Sequence, residues 1–230
     1  MNYYISIETS TDICSVALSA DGKVIDYREN RERNHASATA AFVDELLKKN
    51  NLSAKQLSAV STSLGPGSYT GLRIGTSTAK GMAYAAGIKL IAVDTLQAMA
   101  LKAAEKFSGG KAVIVSCIDA GRNEVYSEIF DVDNNVLRPC KAELIEKDSF
   151  KEYFDNNYKV VFAGNASEKI SRIIENENAV FCFDVLPSAC YTAQLTHKAF
   201  ENNNFADVAY FEPFYLKDFI ATVSKKNVLK

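Results

Sequence analysis

The segment Ser63-Leu-Gly-Pro-Gly-Ser-Tyr-Thr-Gly-Leu-Arg-Ile-Gly75 carries the strongest structural signal in this chain. Its glycine-proline turn predicts the exit from a strand, and the residues after the turn predict a helix over 69–86. Four very small residues recur every four positions on one stripe of that helix: Gly71, Gly75, Ala79 and Ala83. Glycine costs an exposed helix about 1 kcal/mol relative to alanine. The stripe therefore predicts a second backbone packed very close, from this chain or from another protein.

Around this segment, hydrophobic periodicity and turn residues divide the chain into two series of elements. The first series is predicted as strands 3–8, 13–19 and 23–28, helix 36–49, strand 58–64, helix 69–86, strand 88–93 and helix 95–107. The second is predicted as strands 112–118, 124–131 and 136–143, helix 148–156, strand 159–163, helix 167–175, strand 179–183 and helix 188–203. Ser108-Gly-Gly110 predicts a boundary between an N-terminal lobe, 1–107, and a C-terminal lobe, 108–230. The last helix and the tail after it are expected to pack back on the first lobe.

The two series begin alike. Residues 5–12 and 116–123 are each predicted to contain the end of a strand that closes with an acid and then a short polar turn. A second strand is predicted after each turn. This repetition predicts an α/β fold of two duplicated lobes with mixed sheets. The layout resembles the actin-like, hexokinase-like ATPase superfamily, whose lobes are ribonuclease H-like. Fold alone does not fix function.

Composition limits the function classes. Lys plus Arg total 26 and Asp plus Glu total 28, for a net charge of -2. A protein that binds nucleic acid by itself normally presents a basic stripe, so any RNA contact is expected to come mainly from a partner. The five cysteines include no CxxC pair, which favours reduced thiols in a cytoplasmic protein. The first residues predict a strand rather than a signal peptide, and no apolar run is long enough to span a membrane.

Several motifs together identify a family. They are Ile-Glu-Thr-Ser-Thr at 7–11, Cys-Ser-Val-Ala-Leu at 14–18, Gly-Pro-Gly-Ser-Tyr-Thr-Gly-Leu-Arg-Ile-Gly at 65–75, Val-Asp-Thr-Leu at 93–96, Ile-Asp-Ala-Gly-Arg-Asn-Glu-Val-Tyr at 118–126, Ala-Gly-Asn at 163–165 and Glu-Pro-Phe-Tyr-Leu-Lys at 212–217. They resemble the bacterial TsaB (YeaZ) family, which is needed for threonylcarbamoyladenosine at position 37 of certain tRNAs. The resemblance spans essentially the whole chain and is densest over 5–96.

The resemblance implies a non-catalytic relative and activator of the transferase TsaD. TsaB proteins bind TsaD through the first two helices of the N-terminal lobe, here 36–49 and 69–86, and the small ATPase TsaE joins them. The expected contributors to this interface are Phe42, Leu46, Gly71, Arg73, Gly75 and Ala79. Without TsaD, the same surface is expected to form a homodimer, and tRNA is expected to be contacted only through the complex.

No metal site is expected on this chain. In the catalytic relative, a His-xxx-His pair on the helix that corresponds to 95–107 holds the metal. Thr95 and Met99 stand at those positions here, and neither is a usual ligand for a catalytic metal. Only two histidines occur in the chain. His35 is expected to be an exposed residue before a helix, and His197 a surface or hydrogen-bonded core residue.

ATP chemistry is harder to judge from the residues. In the ATPase superfamily, an acid at the end of the first strand of each lobe holds magnesium, and the adjacent turn binds phosphate. The resemblance places a vestigial nucleotide site at Glu8, Thr9, Ser10, Asp119 and Gly164. The family more usually has Asp where this chain has Glu8, and the turn lacks a phosphate-binding glycine. ATP with magnesium is thus expected to bind weakly or jointly with partners, if at all.

Two rival functions remain open at this stage. One is an ATP-dependent phosphotransferase or ATPase that uses Glu8 and Asp119. The other is a homodimeric module that binds some metabolite, for which the sequence offers no pocket signature. No nucleophile constellation supports a hydrolase, because Ser68 has no histidine near it in sequence and the chain has only two.

Overall fold

The computed structural model describes residues 1–32, 34–107 and 110–216. The strands are β1 Tyr3–Glu8, β2 Cys14–Ala20, β3 Lys23–Asn30, β4 Ala59–Gly65, β5 Lys89–Asp94, β6 Ala112–Asp119, β7 Glu124–Phe130, β8 Val136–Leu144, β9 Lys159–Ala163 and β10 Ala179–Cys182. The helices are α1 His35–Lys49, α2 Tyr69–Ala86, α3 Thr95–Ala104, α4 Lys151–Asp155, α5 Ser167–Ser171 and α6 Ala189–Glu201, with a 3-10 turn at Ala54–Gln56. The predicted order of elements is therefore the observed one.

The strands form two five-stranded mixed sheets with the same topology. The first has the order β3-β2-β1-β4-β5 and the second β8-β7-β6-β9-β10. In each sheet the first strand runs antiparallel to its hairpin partner and parallel to the strand on its other side. The prediction of two duplicated α/β lobes with mixed sheets is confirmed.

Local signals in the sequence explain several boundaries. The β2–β3 hairpin turns at Asp21 and Gly22, which both have positive φ, as a tight two-residue turn requires. Helix α2 begins after Ser68, whose hydroxyl accepts a hydrogen bond from the Gly71 amide, and ends at Gly87 in the left-handed region. The helices predicted over 148–156 and 167–175 are shorter, at five residues each.

Helices α1 and α2 cover one face of the first sheet, and α6 covers the other. The α6 contacts include a 3.0 Å hydrogen bond between Tyr4 Oη and His197 Nδ1. The Ala189 amide also donates to Ser15 Oγ at 2.9 Å. After α6 the chain returns along the same lobe, where Ala206 pairs with Leu90. The last helix and the described part of the tail thus lie against the first sheet.

Helix α3 makes the reciprocal contact. Its residues Met99, Ala100 and Ala103 are buried with Ile114 and other residues of the second sheet. Each sheet is thus covered on one face by a helix from the other half of the sequence. The predicted boundary at 108 falls at Ser108 and Gly109, which lie outside the described residues.

Candidate functional site

The glycine stripe of α2 faces inward. A β-carbon on Gly71 would lie within 3.0 Å of the Thr9 carbonyl oxygen, and one on Gly75 within 3.0 Å of Thr9 Oγ1. The close backbone that the stripe predicts is thus the turn after β1 in the same lobe. The prediction that Gly71 and Gly75 form an intermolecular surface is wrong, because their own chain already occupies that space.

Two more of the expected interface residues are buried in the same core. Leu46 and Ala79 are both 0% exposed and pack with residues of β1, β2 and β4. Their prediction as contact residues is therefore also wrong. Phe42 is half-buried at the edge of this core, whereas Arg73 is exposed, with its guanidinium 4.9 Å from the centre of the Tyr69 ring. Only Phe42 and Arg73 of the six expected residues present surface.

A second stripe of small residues faces outward on α2. It consists of Ser77, Gly81 and Ala85, which are exposed and continue the four-residue spacing from Arg73. A β-carbon on Gly81 would meet no atom within 4 Å. Tyr84, 85% exposed, flanks the stripe. The inward spacing does not predict this outward stripe, and its one signal in the sequence is Gly81, which lies outside that spacing.

Two of the five expected nucleotide residues, Ser10 and Asp119, line a cleft between the lobes. Ser10 and Asp12 of the first lobe face Asp119, Gly121 and other residues of the second across a cavity of about 430 Å³. Thr9 lies behind this wall, where its hydroxyl donates to the Gly71 carbonyl at 2.8 Å. The structure thus brings the two acid-ending strands together, as the duplicated fold requires.

Glu8 does not point into this cleft as a magnesium ligand would. It is 1% exposed, and its Oε1 accepts a hydrogen bond from the Ser10 amide at 2.6 Å. Burial raises the pKa of the Glu8 carboxyl above its ordinary value. The turn after it is equally engaged, since the Ser10 carbonyl accepts the Ser68 amide at 2.6 Å. Glu8 therefore stabilises the turn rather than offering a free carboxylate.

Asp119 already has a cation. Lys169 Nζ lies 2.6 Å from its Oδ1 and also donates to the Arg122 carbonyl at 2.9 Å. The same carboxylate oxygen accepts the Gly121 amide at 2.7 Å. A divalent ion bound through Oδ1 of this carboxylate would therefore compete with the Lys169 ammonium group.

Gly164 has a structural reason for being glycine. Its φ is +113°, and a β-carbon there would lie within 3.0 Å of the Cys117 carbonyl oxygen. It also lines a separate cavity of about 470 Å³ together with Asn165 and Phe183. The glycine is required for packing against β6, whatever occupies the neighbouring cavity.

The two residues that the sequence predicts not to bind a metal lie in the core. Thr95 and Met99 are 1% and 0% exposed, and within residues 1–32, 34–107 and 110–216 no three His, Cys, Asp or Glu side chains cluster as metal ligands do. His35 is not the exposed residue expected: it opens α1, is 7% exposed and places Nε2 2.7 Å from the Thr11 carbonyl oxygen. His197 is partly buried and bonded to Tyr4, as noted above.

Comparison with known proteins identifies the family. The family model for TsaD, tRNA N6-adenosine threonylcarbamoyltransferase, matches residues 28–219. The protein named tRNA threonylcarbamoyladenosine biosynthesis protein TsaB from Escherichia coli (strain K12) is 30% identical over 231 residues, covering 94% of this chain and 95% of that protein. The chain belongs to the TsaB (YeaZ) family. Its TsaD-type family match further relates it to the transferases of the same tRNA modification.

Solved structures agree on the fold. YeaZ from Pseudomonas aeruginosa superposes with a TM-score of 0.78 at 24% identity, over 94% of this chain and 100% of that one. An inorganic polyphosphate/ATP-glucomannokinase from Arthrobacter sp. strain KM gives a TM-score of 0.50 at 12% identity, over 86% and 99% of the two chains. The TsaB family member described here thus has the actin-like, hexokinase-like ATPase fold. Among its described residues, no helix has the length and apolarity needed to cross a membrane.

Proposed function

We propose that this chain is a non-catalytic subunit required for threonylcarbamoyladenosine formation at position 37 of tRNA, and that it binds and activates a TsaD transferase. The observation that carries the proposal is the outward stripe of α2. An exposed glycine inside a helix costs about 1 kcal/mol relative to alanine, and no contact among the described residues accounts for Gly81. A partner backbone packed against the stripe explains why glycine occupies this exposed helical position.

The cleft supports a non-catalytic role. The acid of the first lobe is buried at Glu8, and the acid of the second, Asp119, is paired with Lys169. Thr95 and Met99 offer no usual metal ligand at the positions that carry histidines in the transferase. The chemistry of carbamoyl transfer is therefore assigned to the partner.

The outward stripe suits a helix of a partner protein rather than RNA. Its small side chains allow close approach of two helices. Arg73 at its start and Tyr84 at its side are residue types enriched in protein interfaces. The net charge of -2 gives the chain no general attraction for phosphates. TsaE and tRNA are proposed to join the TsaD-bound assembly, and a homodimer through the same stripe is proposed when TsaD is absent.

Co-expression with the TsaD protein of the same organism tests the interface. Gly81→Leu places a bulky side chain on the outward stripe and should abolish co-purification, while circular dichroism shows a folded protein. Gln194→Leu, on the exposed side of α6, is the matched control and should co-purify like the parent. If Gly81→Leu co-purifies normally, the stripe is not the TsaD interface.

Depletion of the chain in cells tests the function itself. Mass spectrometry of digested tRNA should show loss of threonylcarbamoyladenosine, and the parent gene should restore it. An unchanged level of the modified nucleoside after depletion would refute the proposed function, whatever the interface experiment shows.

A further inference from the structure

A buried carboxyl group, Glu128, and a partly buried one, Asp94, lie in the region where α3 docks on the second sheet. Asp94 ends β5 and caps α3, and its Oδ1 accepts the Gln97 amide at 2.8 Å. Glu128, in the middle of β7, is 7% exposed and close enough to Asp94 for the two charges to interact. Within the described part of the chain neither carboxyl forms an ion pair. Asp94 of the first lobe and Glu128 of the second thus lie at one junction, and no basic side chain of the described residues is paired with either.

The polar atoms around Glu128 reinforce this point. Glu128 Oε2 has no hydrogen-bond partner, and neither does Ser116 Oγ, which belongs to the residue directly opposite Glu128 on β6 and is 0% exposed. Thr95 Oγ1, in the residue after Asp94, is also buried and unpaired. An ionised carboxylate in such a place lacks the hydrogen bonds that normally compensate burial of charge.

We propose that Glu128 is a neutral carboxylic acid at this junction, that Asp94 carries the negative charge, and that the Glu128 proton keeps α3 docked on the second sheet. The positive end of α3 favours the anion at Asp94, its capping residue. Burial raises the pKa of Glu128 to about 7, with Asp94 adding to the shift, and burial raises the pKa of Asp94 to about 6. Because the Asp94 carboxylate accepts a capping hydrogen bond while Glu128 Oε2 has no partner, the proton resides on Glu128.

Strand β8 contributes further titratable groups near this site: Cys140, Arg138 and Glu143. Burial raises the pKa of the Cys140 thiol to about 12, so it stays neutral throughout the relevant range. Arg138 and Glu143 are paired with each other, and the charges of both act on Cys140. A folded-state pKa above the unfolded value means that the stabilisation is complete at low pH and is lost as pH rises through 7. Two like charges then face each other under the first turn of α3.

Carbon-13 NMR of glutamate-labelled full-length protein tests the proton directly. The Glu128 carboxyl carbon, assigned by its loss in Glu128→Gln, should titrate near neutral pH, whereas an acid range typical of exposed glutamate would overturn the proposal. In Asp94→Asn, which keeps a good capping residue, the Glu128 midpoint should move to lower pH. An unmoved midpoint would show that Asp94 does not act on Glu128.

Amide hydrogen exchange tests the consequence for docking. Exchange of α3 amides, corrected for intrinsic rates, should accelerate on the order of tenfold between about pH 6 and pH 8.5, because one pKa unit corresponds to a tenfold change. Glu128→Gln should remove this acceleration, and Glu146→Gln, an exposed acid of the same lobe, should retain it. Equal pH dependence in Glu128→Gln and the parent would overturn the role of the proton.

Discussion

Gly71 of α2 lies directly against the carbonyl oxygen of Thr9, so that the helix and the turn after β1 touch backbone to backbone. One turn later Gly75 leaves space for the Thr9 hydroxyl, which itself donates to the Gly71 carbonyl at 2.8 Å. The two elements are thereby fixed to each other without any long side chain between them. This contact closes the first-lobe side of the cleft and places Ser10 at its wall.

Two glycines of one helix, Gly75 and Gly81, should therefore respond differently to the same substitution. Gly75→Ala should lower the free energy of unfolding by about 1–3 kcal/mol, because its new methyl group overlaps Thr9. Gly81→Ala should raise it by about 0.5–1 kcal/mol, because that position is open and alanine favours the helix. Urea unfolding followed by circular dichroism measures both. Equal effects at the two positions would contradict the inward and outward assignments.

The sequence was sufficient for the elements and the duplicated lobes, because hydrophobic periodicity and turn residues are local signals. It was sufficient to show that α2 meets a close backbone, but not which one. A four-residue spacing of small residues defines a helix face, and the same face fits a neighbour in the lobe or in a partner. The Thr9 contact that decides between them joins residues 62 positions apart.

Helix α3 packs on the second sheet and α6 packs on the first. This crossed arrangement depends on contacts between residues that are still more distant in sequence. Tyr4 and His197 are 193 positions apart, yet their hydrogen bond ties the last helix to the first strand. The buried position of His35 likewise follows from its bond to the Thr11 carbonyl, which a local pattern does not encode. Ion pairs such as Asp119 with Lys169 depend on the finished fold in the same way.

Helix α6 should be essential to the stability of the first lobe. Thr196 Oγ1 donates to Ser61 Oγ at 2.8 Å, and Ser61 Oγ donates to Ser6 Oγ at 2.8 Å, all in the buried face between α6 and the sheet. Thr196→Val keeps the shape and removes the first donor, so the free energy of unfolding should fall by about 1–3 kcal/mol. Gln194→Ala, exposed on the same helix, should change it by less than about 0.5 kcal/mol. An unchanged free energy of unfolding in Thr196→Val would show that these hydrogen-bonded hydroxyl groups do not stabilise the protein.

The isolated protein should not respond to magnesium-ATP as an ATPase does. A ligand present at a hundred times its dissociation constant stabilises a protein by about 2.7 kcal/mol. With Glu8 buried and Lys169 on Asp119, thermal unfolding in millimolar magnesium-ATP should show no such gain. Glu8→Ala is the diagnostic control. A clear stabilisation that disappears in Glu8→Ala would favour the rival phosphotransferase or ATPase function.

Glu8 should make the protein less stable as the solution becomes more basic. Burial raises the pKa of its carboxyl above that of an unfolded glutamate, so the folded state holds a proton that the unfolded state releases. Its stabilisation is complete at low pH and is lost as pH rises from the ordinary glutamate range through the folded pKa, by at most about 1.4 kcal/mol per pH unit for one proton. Glu8→Gln retains an oxygen for the Ser10 amide and should flatten the pH profile of unfolding relative to the parent. Measured in a Glu128→Gln background, the difference isolates Glu8, and parallel profiles there would show that its carboxyl is ionised in the folded protein.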